Sequence, residues 1–81
     1  MKSAFLKLEG SPQLDGVVEV GGDCLRFRTR TDMIPEEFRR LRNGQIESDS
    51  ENEWVLLEGA RSTREGGYTM ELTLRRFAPP V

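Results

Sequence analysis

The residue type with the most obvious binding chemistry in this chain is arginine. All but Lys2 and Lys7 of the 12 basic side chains are arginines, and a guanidinium binds a carboxylate through two parallel hydrogen bonds, which an ammonium does not. Three arginines stand at every second position of residues 26–30, so an extended chain places them on one face. The candidate partner-binding residues are Arg26, Arg28, Arg30, Arg61, Arg64 and Arg75.

The same arginines also have a purely structural interpretation. On neighbouring strands they would form cross-strand ion pairs with Glu19, Glu58 or Glu71. Exposed pairs of this kind contribute little to stability. The sequence leaves open whether the arginine face binds a partner or only holds such pairs.

Catalysis is not expected from these residue types. A cysteine nucleophile needs a base beside it, and Cys24 is the single cysteine of a chain without histidine. Glu58 and Glu71 stand in apolar runs, but we expect them at a strand end or on a wet face rather than in an acid–base pair. The glycine pairs at 21–22 and 66–67 do not match a phosphate-binding loop. We therefore predict a non-enzymatic protein with no cofactor and no metal ion.

A run of carboxylates occupies the segment 47–53. Glu47, Asp49, Glu51 and Glu53 stand at every second position, and we predict an acidic surface loop over 45–52. If the segment were extended, the four carboxylates would share one face and could bind a cation or arginines. The segment does not match a calcium-binding EF-hand loop.

The strands that must position the arginines are visible as period-2 patterns. Leu25, Phe27 and Thr29 alternate with the arginines of 26–30, and the residues 68–77 alternate in the same way. Such alternation indicates a strand with one buried and one wet face. Further strands are predicted at 3–9, 17–20 and 53–58, and the Gly-Gly-Asp at 21–23 predicts a hairpin turn.

One short helix is predicted at about 35–43. Ile34, Phe38 and Leu41 are spaced i, i+4 and i+7, which aligns them on one side of a helix. Pro35 suits a first helical turn, and Gly44 suits a left-handed stop. A helix of about ten residues is marginal alone in water, so it must pack on the sheet.

The predicted fold class is therefore α+β. We expect a five-stranded antiparallel sheet, twisted or curled into a partial barrel, with the order β-β-β-α-β-β. Residues 1–77 would form a single domain and residues 78–81 a C-terminal tail. This element order resembles that of the oligonucleotide- and oligosaccharide-binding fold, and the resemblance rests on order alone.

Composition narrows the class of protein further. The chain has 81 residues and a net charge of -2, which does not favour a phosphate backbone as its main partner. One cysteine cannot form an internal disulfide, and the three-residue apolar run near the start is too short for a signal peptide. We expect a cytoplasmic location and no membrane association.

Two functions remain as predictions. The first is a small protein-interaction module, such as a regulator, an inhibitor or an assembly subunit, which binds another protein through the arginine face and loop. Self-association through an edge strand, with residues 4–9 as the expected edge, is a variant of it. The alternative is single-stranded nucleic-acid binding, which needs exposed aromatic rings; Phe5, Phe77 and Trp54 are the candidates.

Overall fold

The fold is an all-β barrel. The computed structural model describes residues 2–49 and 51–77. Its strands are β1 (Lys2–Leu8), β2 (Leu14–Gly21), β3 (Cys24–Thr29), β4 (Asn43–Ser48), β5 (Glu51–Ser62) and β6 (Met70–Arg76). A one-turn helix, α1 (Pro35–Phe38), joins β3 to β4, and a 3-10 turn (Glu65–Gly67) lies between β5 and β6.

The strands close in the order β1-β2-β3-β6-β5-β4, and every neighbouring pair is antiparallel. Two three-stranded meanders, β1-β2-β3 and β4-β5-β6, are joined by the pairs β3–β6 and β1–β4. Closure pairs most of the backbone N–H and C=O groups that an open sheet would leave unpaired at its edges.

The barrel interior is filled by the residues whose alternation predicted an inward face. Leu25 lies opposite Leu74, and Phe27 lies opposite Leu72, on the paired strands β3 and β6. All four side chains are buried. Thr29 is also buried, and its hydroxyl donates a hydrogen bond to the carbonyl oxygen of Asp15 over 2.7 Å. The buried apolar residues are Ala4, Leu6, Leu8, Leu14, Val18, Leu25, Phe27, Phe38, Leu41, Ile46, Val55, Met70, Leu72 and Leu74.

The prediction of a five-stranded α+β sheet is wrong. The missing strand is β4, which occupies much of the segment expected to be an acidic loop. Gly44 and Ile46 face inward there, while Gln45 and Glu47 lie on the other face. Because β4 contains a single large apolar residue, its composition resembles that of a loop. It forms a strand because it pairs and packs with its neighbours in the barrel.

The predicted helix over 35–43 is wrong beyond its first turn. Phe38 and Leu41 are buried as expected, but Ile34 is 53% exposed. The carbonyl oxygen of Arg42 accepts a hydrogen bond from the N–H of Leu57 over 2.6 Å, and that of Asn43 accepts one from the N–H of Glu9. The N–H groups of Arg39 and Leu41 bond to the carbonyls three residues earlier, and Asn43 already pairs with Leu56 in the sheet, so the helix does not extend past Phe38.

Three smaller expectations also change. The first strand is not an edge, because β1 pairs with β2 on one side and β4 on the other. The predicted strand at 53–58 is longer than expected, since β5 runs from Glu51 to Ser62. The resemblance to the oligonucleotide-binding fold fails, because that fold is a five-stranded Greek-key barrel, whereas this barrel has six strands in two meanders.

No helix within residues 2–49 and 51–77 is long and apolar enough to cross a membrane. The predicted tail at 78–81 lies outside the described residues.

Candidate partner-binding surface

The outer face of β3, β6 and the second half of β5 forms what we call the arginine wall. In the strand registers, Arg28 lies opposite Glu71, and Glu71 lies opposite Arg61. In the next row on this face, Arg26 lies opposite Thr73. In the row after that, Arg75 lies opposite Cys24. Antiparallel pairing thus brings four of the six predicted arginines onto one surface, although they come from three separate strands.

Glu71 is the centre of the arginine wall. Its side chain is only 5% exposed, although it points away from the barrel interior. Arg28 Nε donates to Glu71 Oε2 over 3.0 Å, and Arg61 Nε donates to Glu71 Oε1 over 2.9 Å. Arg28 Nη2 also lies 3.9 Å from a carboxylate oxygen of Glu65. The two guanidiniums cover the carboxylate from either side and are held in fixed positions by it.

The ionisation of this cluster follows from the same contacts. Burial acts to raise the pKa of the Glu71 carboxyl, but the hydrogen bonds and charges of Arg28 and Arg61 outweigh burial and lower that pKa. The hydrogen bond to Glu71 raises the pKa of Arg28, against a smaller opposing effect of desolvation. Glu71 and Arg28 are therefore both charged at neutral pH.

The remaining predicted arginines surround this cluster. Arg75 Nε lies 3.2 Å from a carboxylate oxygen of Glu58. Arg30 Nε donates to the carbonyl oxygen of Gly67 over 2.8 Å, and its guanidinium carbon lies 6.0 Å from the centre of the Tyr68 ring. Arg26 and Arg64 are exposed, and neither forms a side-chain hydrogen bond or ion pair with another residue of 2–49 or 51–77.

The acidic segment does not form a shared face of four carboxylates. Glu47 lies on the outer face of β4, opposite Asn52, whereas Glu53 lies opposite the inward-facing Ile46. Glu53 is paired with Arg76, whose Nε lies 3.1 Å from its carboxylate. In the described part of the chain, no three acidic or cysteine side chains are grouped so that they could hold a metal ion.

Two further arginines, which the sequence patterns did not single out, line a cleft of about 440 Å³ between α1 and β5. They are Arg39 and Arg42, and both are exposed. The run Arg-Arg-Leu-Arg at 39–42 is the sequence signal that could have pointed to this cleft. In the predicted helix, the same run only places positive charge near the helix C-terminus, where it is favourable.

The exposed aromatic residues lie on β1 and β5, and Phe77 directly follows β6. Phe5 is 48% exposed and Trp54 is 41% exposed. The Trp54 and Phe77 rings contact each other with their centres 6.3 Å apart. A shallow cleft of about 280 Å³ beside Trp54 is lined by Lys7, Glu9, Asn43, Gly44 and Gln45.

Comparison of the chain with known protein families, with characterised proteins and with solved structures found no match. Any functional conclusion therefore depends on the geometry of these surfaces.

Proposed function

We propose that the protein is a non-catalytic interaction domain that binds an acidic surface of a partner protein through the arginine wall. The observation that supports this proposal most directly is the clamped position of Arg28 and Arg61 on the buried carboxylate of Glu71. Ordering a long arginine side chain costs conformational entropy when a partner binds. Here Glu71 already orders the two arginine side chains when the protein folds. Binding of a partner therefore costs less side-chain entropy.

The charge balance of the arginine wall favours an acidic partner. Glu71 and Glu65 offset the charges of Arg28 and Arg61, and Glu58 offsets that of Arg75. The positive charge of the arginine wall is supplied by Arg26 and Arg64, which form no ion pair among the described residues, although Glu19 lies opposite Arg26 in the register of β2 and β3. A carboxylate of the partner would bind the solvent-facing N–H groups of Arg61, whose side chain is 72% exposed, because a guanidinium has five donors.

Nucleic-acid binding is the weaker candidate because Phe5 stands beside carboxylates, and Trp54 and Phe77 contact each other. The arginine wall is formed by β3, β5 and β6, whereas Phe5 lies on β1 between Asp15 and Glu47 in the strand registers. Those carboxylates repel phosphate. Single-stranded nucleic-acid sites combine a basic groove with stacking rings on the same surface.

The proposal is tested by affinity capture from a lysate of the source cells. The wild-type protein and the double variant Arg26→Glu/Arg64→Glu serve as baits, and captured proteins are quantified by mass spectrometry. We expect an acidic partner that the wild type retains and the double variant loses. The change involves exposed side chains, so the fold should be unaffected.

A matched control variant is Lys7→Glu/Arg40→Glu, which changes the net charge by the same amount at exposed positions away from the arginine wall. It should retain the same partner. Loss of the partner from both variants would indicate a general charge effect and contradict a specific surface. Retention on immobilised single-stranded DNA that falls steeply with salt would favour the nucleic-acid alternative.

A further inference from the structure

The barrel leaves one stretch of strand edge unpaired. β5 has 12 residues, whereas β4 has six and pairs with β5 only as far as Leu56. The N–H of Leu57 then donates to the carbonyl oxygen of Arg42. Beyond that bond, residues 58–62 continue beside β6, and no strand of the described residues pairs with them on the other side.

The unpaired edge borders the cleft between α1 and β5. Glu58, Gly59 and Ala60 form the strand side of this cleft, and Pro35 and Phe38 belong to the helix side. The barrel also has a register shift between Leu57 and Gly59. Bulges of this kind interrupt regular pairing and often lie beside functional sites.

The cleft has an apolar floor and a basic rim. Phe38 and Leu41 are buried, and Leu57 is half-buried against the core. Arg39 and Arg42 are exposed above them, and Arg42 Nη1 donates to the carbonyl oxygen of Arg39 over 3.3 Å. Neither side chain forms an ion pair with a carboxylate of residues 2–49 or 51–77.

The one carboxylate among the residues that line the cleft is already engaged. Glu58 lines the cleft, but its carboxylate is bound by Arg75 at 3.2 Å. The positive charge of Arg39 and Arg42 is therefore not compensated within the cleft. A ligand with negative charge would complement it.

We propose that the cleft binds an extended acidic peptide segment, which adds a strand to the unpaired edge of β5 at residues 58–62. Backbone hydrogen bonds to this edge supply affinity, as in other β-augmentation complexes. Side chains at alternate positions of the peptide point to opposite faces. Apolar side chains would pack on Pro35 and Leu57, which are half-buried, and acidic ones would meet Arg39 and Arg42.

The cleft dimensions fit such a segment. Five residues of strand span about 16 Å, and a volume of about 440 Å³ lies within the usual range of about 300–1,000 Å³ for binding pockets. A second copy of this chain is a poorer occupant, because its own edge at 58–62 carries the exposed Arg61 and is bordered by Arg39 and Arg42. Two copies would bring like charges together.

The experiment uses a displayed library of random nine-residue peptides, selected separately against the wild type and against Arg39→Glu/Arg42→Glu. We expect peptides with acidic residues at alternate positions to be enriched on the wild type and not on the variant. The strongest peptide is then synthesised and titrated into the ¹⁵N-labelled protein up to about 1 mM. Shift changes should be confined to residues 35–42 and 57–62.

Two controls make the outcome decisive. The same peptide with N-methylated backbone amides keeps its charge but cannot donate backbone hydrogen bonds to the edge of β5. It should bind about tenfold or more weakly. The variant Arg26→Glu/Arg64→Glu should bind the unmodified peptide as the wild type does, which separates this site from the arginine wall. Four results would overturn the proposal. They are equal binding of the methylated peptide, shift changes on β3 and β6, no enrichment of acidic peptides, and a dimer formed through β5.

Discussion

Arg28 and Glu71 lie directly opposite each other on β3 and β6, and a 3.0 Å hydrogen bond joins the guanidinium to a carboxylate that is almost fully covered. Residues on the outer face of a barrel are usually wet. The burial of Glu71 is produced by the arginines on both neighbouring strands, so this ion pair differs from an exposed surface pair.

Replacing Glu71 by alanine should destabilise the protein by about 1–2 kcal/mol, because two guanidiniums lose their charge-assisted bonds and then repel each other. The measurement is the free energy of unfolding in urea at neutral pH, with the slope unchanged. The matched control is Glu58→Ala, which removes a carboxylate from the more exposed pair with Arg75 and should cost less than about 1 kcal/mol. Equal losses would contradict the special position of Glu71.

The contribution of Glu71 should disappear in acid. Because the pKa of its carboxyl is lowered in the folded protein, the stability it supplies is present above the pKa of the unfolded chain, about 4.3. It is lost as the pH falls through the folded pKa. The stability difference between the wild type and Glu71→Gln should be constant above about pH 5 and shrink below about pH 4. A difference that persists unchanged to pH 2 would refute this.

Gly44 should not tolerate a side chain. A Cβ at this position of β4 would lie 2.2 Å from the carbonyl oxygen of Lys7 on β1, and backbone cannot move away as a flexible side chain can. We expect Gly44→Ala to cost about 2 kcal/mol or more, measured by thermal or urea unfolding. At Gly59 nothing lies within 4 Å of the added atom, so Gly59→Ala should be neutral or stabilising by about 0.5 kcal/mol. The opposite ranking would show that β1 and β4 are not closely paired.

The contribution of the inner and outer faces of the barrel wall to stability can be compared with two phenylalanines. Phe27 on β3 is fully buried, and Phe5 on β1 is 48% exposed. Phe27→Ala should cost about 3–5 kcal/mol through lost burial and a cavity, whereas Phe5→Ala should cost less than about 1 kcal/mol. Urea unfolding of both variants measures the contrast. Similar losses would mean that the alternation along one of these strands is inverted.

Much of the strand pattern could be predicted because it is local. The buried face of β3, with Leu25 and Phe27, and that of β6, with Leu72 and Leu74, follow from a two-residue repeat within each segment. The same holds for Ala4, Leu6 and Leu8 on β1.

β4 and the helix end were not predictable in this way. β4 carries Ile46 as its one large buried residue, and its identity as a strand depends on pairing with β1 and β5. The helix ends early because the turn after Phe38 tightens to three-residue hydrogen bonds and Asn43 pairs with Leu56, a residue distant in sequence. Periodicity within a segment contains no information about such partners.

The amino-acid sequence by itself determined which side of most strands is apolar and that the arginines of 26–30 share a face, because alternation is a property of neighbouring residues. Only the tertiary structure decided that six strands close into a barrel, that Glu71 lies buried between Arg28 and Arg61, and that Arg39 and Arg42 border an unpaired edge of β5. These features require segments far apart in the chain to meet, and which segments meet is set by the packing of the whole barrel.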